Sequence, residues 1–341
     1  MRYQFTFRSQ HLPRVLLLAS TIATVMTLAG CGGTPVTSSR HMQPLSEHLL
    51  AELKAKNMER ESPILMRIFK EEAELEVWKQ DDSGRFALLR TYPICRWSGE
   101  LGPKIKQGDR QAPEGFYSIT PGLMNPNSSQ YLAINTGFPN AYDRANGRTG
   151  SFLMIHGGCS SAGCYAMTDE QIAEIYALAR ESFFGGQKSF QLQAYPFRMT
   201  PLNMARHRNS PHVAFWKMIK QGYDHFEVTH LEPKVGVCDK SYVVFGVEST
   251  DSSSAGRCPT YTVREDIIAA VRDKQRRDDI ETTKLIIRGI PTAPLTTGVD
   301  GGMNRTFLTA VEAQGVPDSV VHTASGTIPA YVNPPDGKDK D

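Results

Sequence analysis

From residue 64 onward the chain breaks into short runs rich in β-branched and aromatic residues. ILMRIF (64–69), ELEVWK (74–79) and FALLRTYPI (86–94) come first, with Asp81-Asp82-Ser83-Gly84 as a turn before the last. GFYSIT (115–120), QYLAINTG (130–137), SFLMIHG (151–157) and QLQAYPFRM (191–199) follow. Runs this short suit strands, so the core is predicted to be β-rich and to open as an antiparallel meander. Residues 98–115, crowded with Gly and Pro, read as one long loop. Thr168-Asp169-Glu170-Gln171 is a capping box, and Ile172, Ile175, Tyr176 and Ala179 repeat on one helical face behind it. Residues 212–226 are predicted helical up to Gly222, 227–238 and 241–247 extended, and 263–287 a charged helix. The expected class is α+β: a β-rich mixed-sheet domain, sandwich-like or barrel-like, with a capped helix and a smaller α/β extension.

The ends of the 341-residue chain are of another kind. Arg2, Arg8 and Arg14 precede an apolar run, VLLLASTIATVMTLA, that ends in small residues. That order reads as a secretory signal, because a membrane span needs about 20 apolar residues. Leu28-Ala29-Gly30-Cys31 resembles the lipobox of bacterial lipoproteins, which implies cleavage before Cys31 and its lipidation. Ordinary cleavage nearby, with Cys31 incidental, is the alternative. A lipidated Cys31 carries several acyl chains, and two or more hold a protein stably on a membrane. The expected divisions are a signal at 1–30, a tether with a short amphipathic helix at 31–61, a catalytic domain at 62–203, an extension at 204–290 and a disordered tail at 291–341.

A net charge of +2 without any Lys/Arg run gives no ground for a nucleic-acid partner. The six cysteines are 31, 95, 159, 164, 238 and 258. With Cys31 acylated, five remain, and an odd number in an oxidising compartment leaves at least one thiol free. Cys238–Cys258 is the readiest disulfide to propose, while a Cys95–Cys159 bridge cannot be decided from sequence.

The chemistry concentrates in SFLMIHGGCSSAGCYAM, residues 151–167. An apolar run delivers His156 at the end of a strand. Gly157-Gly158 lets the backbone turn sharply, and Ser161-Ala162-Gly163 leads into Cys164 shortly before the capped helix. The helix N-terminus and an imidazolium both favour a thiolate. One reading makes Cys164 a nucleophile and His156 its general base, with the Gly163 and Cys164 amides as an oxyanion hole. Two others stay open. His156, Cys159 and Cys164 could be zinc ligands, although their spacing lacks the usual Cys-x-x-Cys pairs. Cys159 and Cys164 could instead form a redox disulfide, four residues between them in place of two. His207, His212, His225 and His230 match no metal spacing.

The stretch IHGGCSSAGCYAM resembles the active-site segment of the L,D-transpeptidase catalytic domain family, the YkuD type. His156-Gly157 and Ser161-Ala162-Gly163-Cys164 match its His-Gly and Ser-x-Gly-Cys positions. SGELGPKIKQGDRQAPEGFYSI is similar to its lead-in, and the short His-to-Cys spacing is similar to the YafK-like branch. Two positions depart from the common motif: Ala162 stands where a second His is usual, and Ala166 where a polar residue is usual.

The resemblance implies a reaction and a place. Cys164 would attack the diaminopimelate carbonyl of a peptidoglycan stem, expel D-alanine and hold the stem as a thioester. An acceptor amine, from another stem or an envelope protein, would then resolve it. His156 would move the protons, and the Gly157 carbonyl would orient its ring. Ser161, Tyr165, Arg110 and Glu114 are candidates to shape the site or hold the stem, and Asp109 lies beside them. No cofactor or metal is expected. The implied setting is the periplasm, on the outer rather than the inner membrane. Two alternatives stand beside transfer, the first kept open by the apolar Ala162 and Ala166, the second opposed by the intact His156 and Cys164. One is hydrolysis of the bond joining diaminopimelate to an attached protein, and the other is a non-catalytic peptidoglycan-binding lipoprotein.

Overall fold

A computed structural model describes residues 39–245, 265–296 and 301–313. Cys31, the signal segment and Cys258 lie outside the described residues. Ser46 caps α1 (Glu47–Ala55), whose Leu49 and Leu53 are buried, so the lead-in helix docks on the core. Then come β1 (Ile64–Phe69), β2 (Glu74–Gln80), β3 (Phe86–Pro93), β4 (Arg96–Trp97) and β5 (Gly115–Ile119). β6 (Met124–Asn125), β7 (Ala133–Asn135), α2 (Ala141–Ala145), β8 (Met154–His156) and β9 (Tyr165–Ala166) follow. α3 (Asp169–Phe184) leads into β10 (Phe190–Tyr195), and α4 (Pro201–Arg206) into α5 (Val213–Thr229). A hairpin of β11 (Lys234–Cys238) and β12 (Ser241–Phe245), then α6 (Glu265–Ile287) and α7 (Arg305–Ala313), complete the described elements.

Two open five-stranded sheets form the framework, and neither closes into a barrel. The first runs β3-β2-β1-β10-β5, antiparallel except where β1 pairs parallel with β10 through Met66↔Leu192. The second runs β4-β9-β8-β7-β6, antiparallel except for parallel β8 and β9. The apolar face of α3, set by Ile172, Ile175, Tyr176 and Ala179, joins one core with Ile64, Met66 and Leu75 of the first sheet and Ile134, Ile155 and Tyr165 of the second. Thr168 caps this helix through the Gln171 amide, as the capping box predicts. Burial of such an apolar stripe, rather than helix propensity, is what fixes a helix in place.

The long loop before β5 is built around a buried ion pair. The Lys70 ammonium donates to the carbonyls of Glu100 (2.7 Å), Gly102 (3.0 Å) and Ala112 (3.2 Å), and lies 3.0 Å from the Glu114 carboxylate. Glu114 also accepts from the Gly102 amide (2.7 Å) and the Trp216 indole (2.9 Å). Backbone groups of an irregular loop need such partners once they leave water.

Three expectations change. The helix predicted to stop at Gly222 runs on to Thr229, taking in residues expected to be extended. Gly222 is there for packing: a Cβ at that position would lie 2.5 Å from Phe116 Cζ on β5. α5 and β12 consequently share an aromatic core with the first sheet, including Phe69, Phe116, Tyr195, Trp216, Tyr223 and Tyr242. The tail expected to be disordered contains structure at 301–313. Gly302 bridges Trp97, and Phe307 and Val311 of α7 pack on Cys95 and Cys159. The sequence QYLAINTG contributes three strand residues only.

Candidate active site

His156 ends β8 and pairs with Ala166 of β9, while Ile155 pairs with Tyr165. Ile155 and Tyr165 point into the core, fully buried. Side chains alternate along strands, so His156 and Ala166 share the opposite face, and Cys164 stands just before β9, two residues ahead of Ala166. His156 Nδ1 lies 2.6 Å from the Gly157 carbonyl. A carbonyl can only accept, so the proton sits on Nδ1 and Nε2 keeps a lone pair. Burial pushes the imidazole below its usual pKa, with the Gly157 carbonyl working against that shift.

The turn between the two residues is fastened from several directions. The Gly157 amide donates to Gln130 O (3.1 Å), and the Gly158 amide donates to Asp169 Oδ1 (3.0 Å) at the start of α3. Gly158 has φ +80°, and a Cβ on Gly157 would lie 2.4 Å from that Asp169 oxygen, so glycine is needed at both positions. Cys159 is bonded to Cys95. Ser161 Oγ accepts from the Cys164 amide (3.1 Å) and donates to the Cys164 carbonyl (2.8 Å). The thiol accepts from the Met154 amide (3.4 Å) and donates to the Phe152 carbonyl (3.7 Å). Burial pushes the Cys164 thiol up, with the Met154 N–H and the charge of Lys104 pulling it down. No hydrogen bond joins His156 and Cys164 among the described residues. Phe152 stands at the rim, 74% exposed and at φ +57°.

The disulfide removes two readings of the cysteines. Cys159 bonds Cys95, so it is neither a redox partner of Cys164 nor a thiolate for zinc. No group of three or more metal-ligating residues occurs among the described residues. Cys164 is the free thiol there, and Cys238 is disulfide-bonded. The Cys164 amide, expected in the oxyanion hole, is held by Ser161 instead, and the Gly163 amide makes no hydrogen bond among the described residues. Gly163 sits at φ +117° against the backbone of Arg110 and Gln111.

The other candidates separate clearly. Tyr165 is core, its hydroxyl donating to Pro113 O (2.7 Å). Glu114 is 0% exposed and holds the loop together, so it offers no oxygen to a ligand. Asp109 shapes the loop by accepting from the Ile105 and Lys106 amides (2.9 Å each) and pairing with Lys104. Arg110 stays beside the turn through its backbone. His207 pairs with Glu71, and His212 packs against Gly102, both away from the thiol's own contacts. Three neighbours of the turn were not singled out in the sequence: Ser98, whose hydroxyl reaches Ser161 (2.6 Å), Lys104, and Asp169 in its anchoring part. A serine and a lysine in a polar loop carry no signal of this kind, because their contacts cross long stretches of chain.

Known proteins resemble this chain in sequence and, more distantly, in structure. The sequence profile of the YkuD family, the L,D-transpeptidase catalytic domain, matches residues 68–185. The Escherichia coli proteins named "Putative L,D-transpeptidase YafK", from strains K12 and O157:H7, are each 42% identical over 250 residues, covering 73% of this chain and 97% of theirs. Among solved structures, the helical cell shape determining protein Pgp2 of Campylobacter jejuni aligns with 45% of this chain and 55% of its own, at 23% identity and a TM-score of 0.30. Bd1075 of Bdellovibrio bacteriovorus aligns with 39% of this chain and 48% of its own, at 19% identity and a TM-score of 0.27.

Proposed function

The chain belongs to the YkuD-type L,D-transpeptidase family, and on that premise we propose that it acts on peptidoglycan stem peptides through a thioester on Cys164. The observation that carries this reading is the pairing of His156 with Ala166, two residues after Cys164, with Nδ1 donating to the Gly157 carbonyl and Nε2 left as the base. His156 Nε2 takes the thiol proton as sulfur attacks the diaminopimelate carbonyl. The Gly163 N–H, which makes no hydrogen bond among the described residues, would receive the developing oxyanion. Collapse expels D-alanine, whose amine takes the proton from His156. An acceptor amine then gives its proton to the imidazole, attacks the thioester and releases Cys164. The acceptor belongs to a second stem, forming a cross-link, or to an envelope protein.

Incubation with tetrapeptide muropeptides, read by mass spectrometry, tests this. The expected product is an acyl adduct on Cys164 carrying the stem without its D-alanine, absent from Cys164→Ala. A chain that forms no adduct and leaves the muropeptide intact is a binding protein, and the enzymatic reading fails.

Hydrolysis is a second reading, favoured by Ala166. It pairs with His156, is fully buried and puts no polar side chain beside the imidazole to hold an incoming amine. With an acceptor amine added, a joined product supports transfer, and a tripeptide alone supports hydrolysis.

We place the protein in the periplasm, held on the envelope membrane through a lipidated Cys31, on the strength of the sequence LAGC. Labelling with a fatty acid should mark the wild type and spare Cys31→Ala.

A further inference from the structure

Segments 95–98 and 159–164 are tied together twice. One tie is the Cys95–Cys159 disulfide, and the other is the hydrogen bond from Ser98 Oγ to Ser161 Oγ, 2.6 Å. The hydroxyl of Ser161 has one proton and two lone pairs, and the site uses all three. The proton goes to the Cys164 carbonyl, one lone pair accepts the Cys164 amide and the other accepts Ser98. The proton of Ser98 is thus what fixes the rotation of the Ser161 hydroxyl around the nucleophile's peptide. Ser98 is 1% exposed, so water does not compete for the bond.

Ser98 is in turn held by a segment far away in sequence. Trp97 N donates to Gly302 O (3.0 Å), and Gly302 N donates back to Trp97 O (3.1 Å). Asn304 N donates to Ile94 O (3.0 Å), and its side-chain amide reaches Glu72 O (3.2 Å) and Ala73 O (3.3 Å). Gly301 passes so close that a Cβ there would lie 1.7 Å from Trp97 O. On its other side, the Ser98 carbonyl accepts the Ala112 amide (3.0 Å) of the long loop.

We infer that Ser98 is a positioning residue for Cys164, acting through Ser161, and that residues 301–304 form a strap that sets Ser98 in place. The inference rests on Cys164 being the nucleophile, and its test therefore includes a readout that needs no substrate. The strap turns a segment outside the matched family region into part of the catalytic geometry. Neither Ser98 nor the strap touches the reacting atoms.

The experiment uses the full-length protein and two assays: steady-state turnover of tetrapeptide muropeptides, and alkylation of Cys164 by iodoacetamide across pH. Ser98→Ala is expected to lower kcat about tenfold with KM held within about twofold, as loss of one buried hydrogen bond implies. Its alkylation profile should move down toward the ordinary thiol range as the turn loosens. Ser98→Thr, which keeps the hydroxyl, should restore kcat to within about threefold of wild type. Adding Ser98→Ala to Ser161→Ala should cost nothing further, because the two act as one unit. Asn304→Ala, which adds no bulk, and Gly301→Ala, which drives the strap from Trp97, should both lower kcat and spare KM.

Multiplying losses in the double variant, or an unchanged kcat and alkylation profile in Ser98→Ala, would overturn the role of Ser98. An unchanged kcat in Asn304→Ala and Gly301→Ala would overturn the strap. If no variant, wild type included, turns over the muropeptide, the reaction assigned to the site is wrong, and the alkylation profiles still decide the positioning.

Discussion

Ser161 and Cys164 hold each other by two hydrogen bonds, the Cys164 amide donating to Ser161 Oγ at 3.1 Å and Ser161 Oγ donating to the Cys164 carbonyl at 2.8 Å. The Cys164 amide is thereby committed to the turn. Ser161→Ala leaves two backbone groups without a partner, which costs roughly 1–3 kcal/mol. If that cost falls on the active geometry, kcat should drop by about one to two orders of magnitude. Turnover kinetics with matched thermal melts check it: a large fall in melting temperature with unchanged kcat would place the serine in stability alone.

Burial moves the two site groups in opposite directions, the imidazole down and the thiol up. Alkylation of Cys164 should accordingly rise above the ordinary thiol pKa of about 8.5, and stay slow at neutral pH. Stability follows by linkage. As pH falls through about 6.5, the unfolded chain takes up a proton that the folded His156 refuses, so stability drops. As pH rises past about 8.5, the unfolded chain releases a thiol proton that folded Cys164 keeps, and stability drops again. Urea melts should show both slopes, the first reduced in His156→Gln and the second in Cys164→Ser. An alkylation profile centred below neutral pH would instead mean a resting ion pair.

The disulfide spans 64 positions and fastens Cys159 in the turn between His156 and Cys164. Replacing both partners, Cys95→Ser with Cys159→Ser, should lower stability by about 2–4 kcal/mol. Activity should fall further than the lost folded fraction explains, because the bond joins the segments that carry Ser98 and Ser161. Turnover normalised to folded protein separates the two effects.

Gly222 offers a test of the aromatic core. In an open helix, Gly→Ala stabilises by about 1 kcal/mol. Here the new methyl meets Phe116, itself packed edge-on against Tyr195 and Tyr242. Overpacking of that kind costs about 1–3 kcal/mol, so Gly222→Ala should lower the melting temperature rather than raise it. A higher melting temperature would show that Phe116 has room to give.

Much of the framework could be read from residue order, where the signal is local. ILMRIF and FALLRTYPI became strands, and the capping box opened its helix, because each pattern lies within a few residues. His156 and Cys164 were visible for the same reason, eight positions apart with glycines between. The contacts that hold them were hidden. β4 and β9 are two residues long and carry no period. Ser98 meets Ser161 across 63 positions of chain, and Trp97 meets Gly302 from the far end of the chain. Glu114 read as a candidate to hold the stem because its buried partner, Lys70, follows β1, far back in the chain. Gly222 looked like a stop because the aromatic ring it makes room for belongs to another strand.

The parallel pairing of β1 with β10 also bears on how the molecule comes together. Met66 finds Leu192 only after the intervening segment has been made, so the central sheet stays open during synthesis. The intervening loop is long and its closure entropy must be overcome before the pairing gives anything back. Until then β1 has β2 on one side and a bare edge on the other. An unpaired edge is a template for other chains. Assembly should therefore be slow beside that of a simple meander.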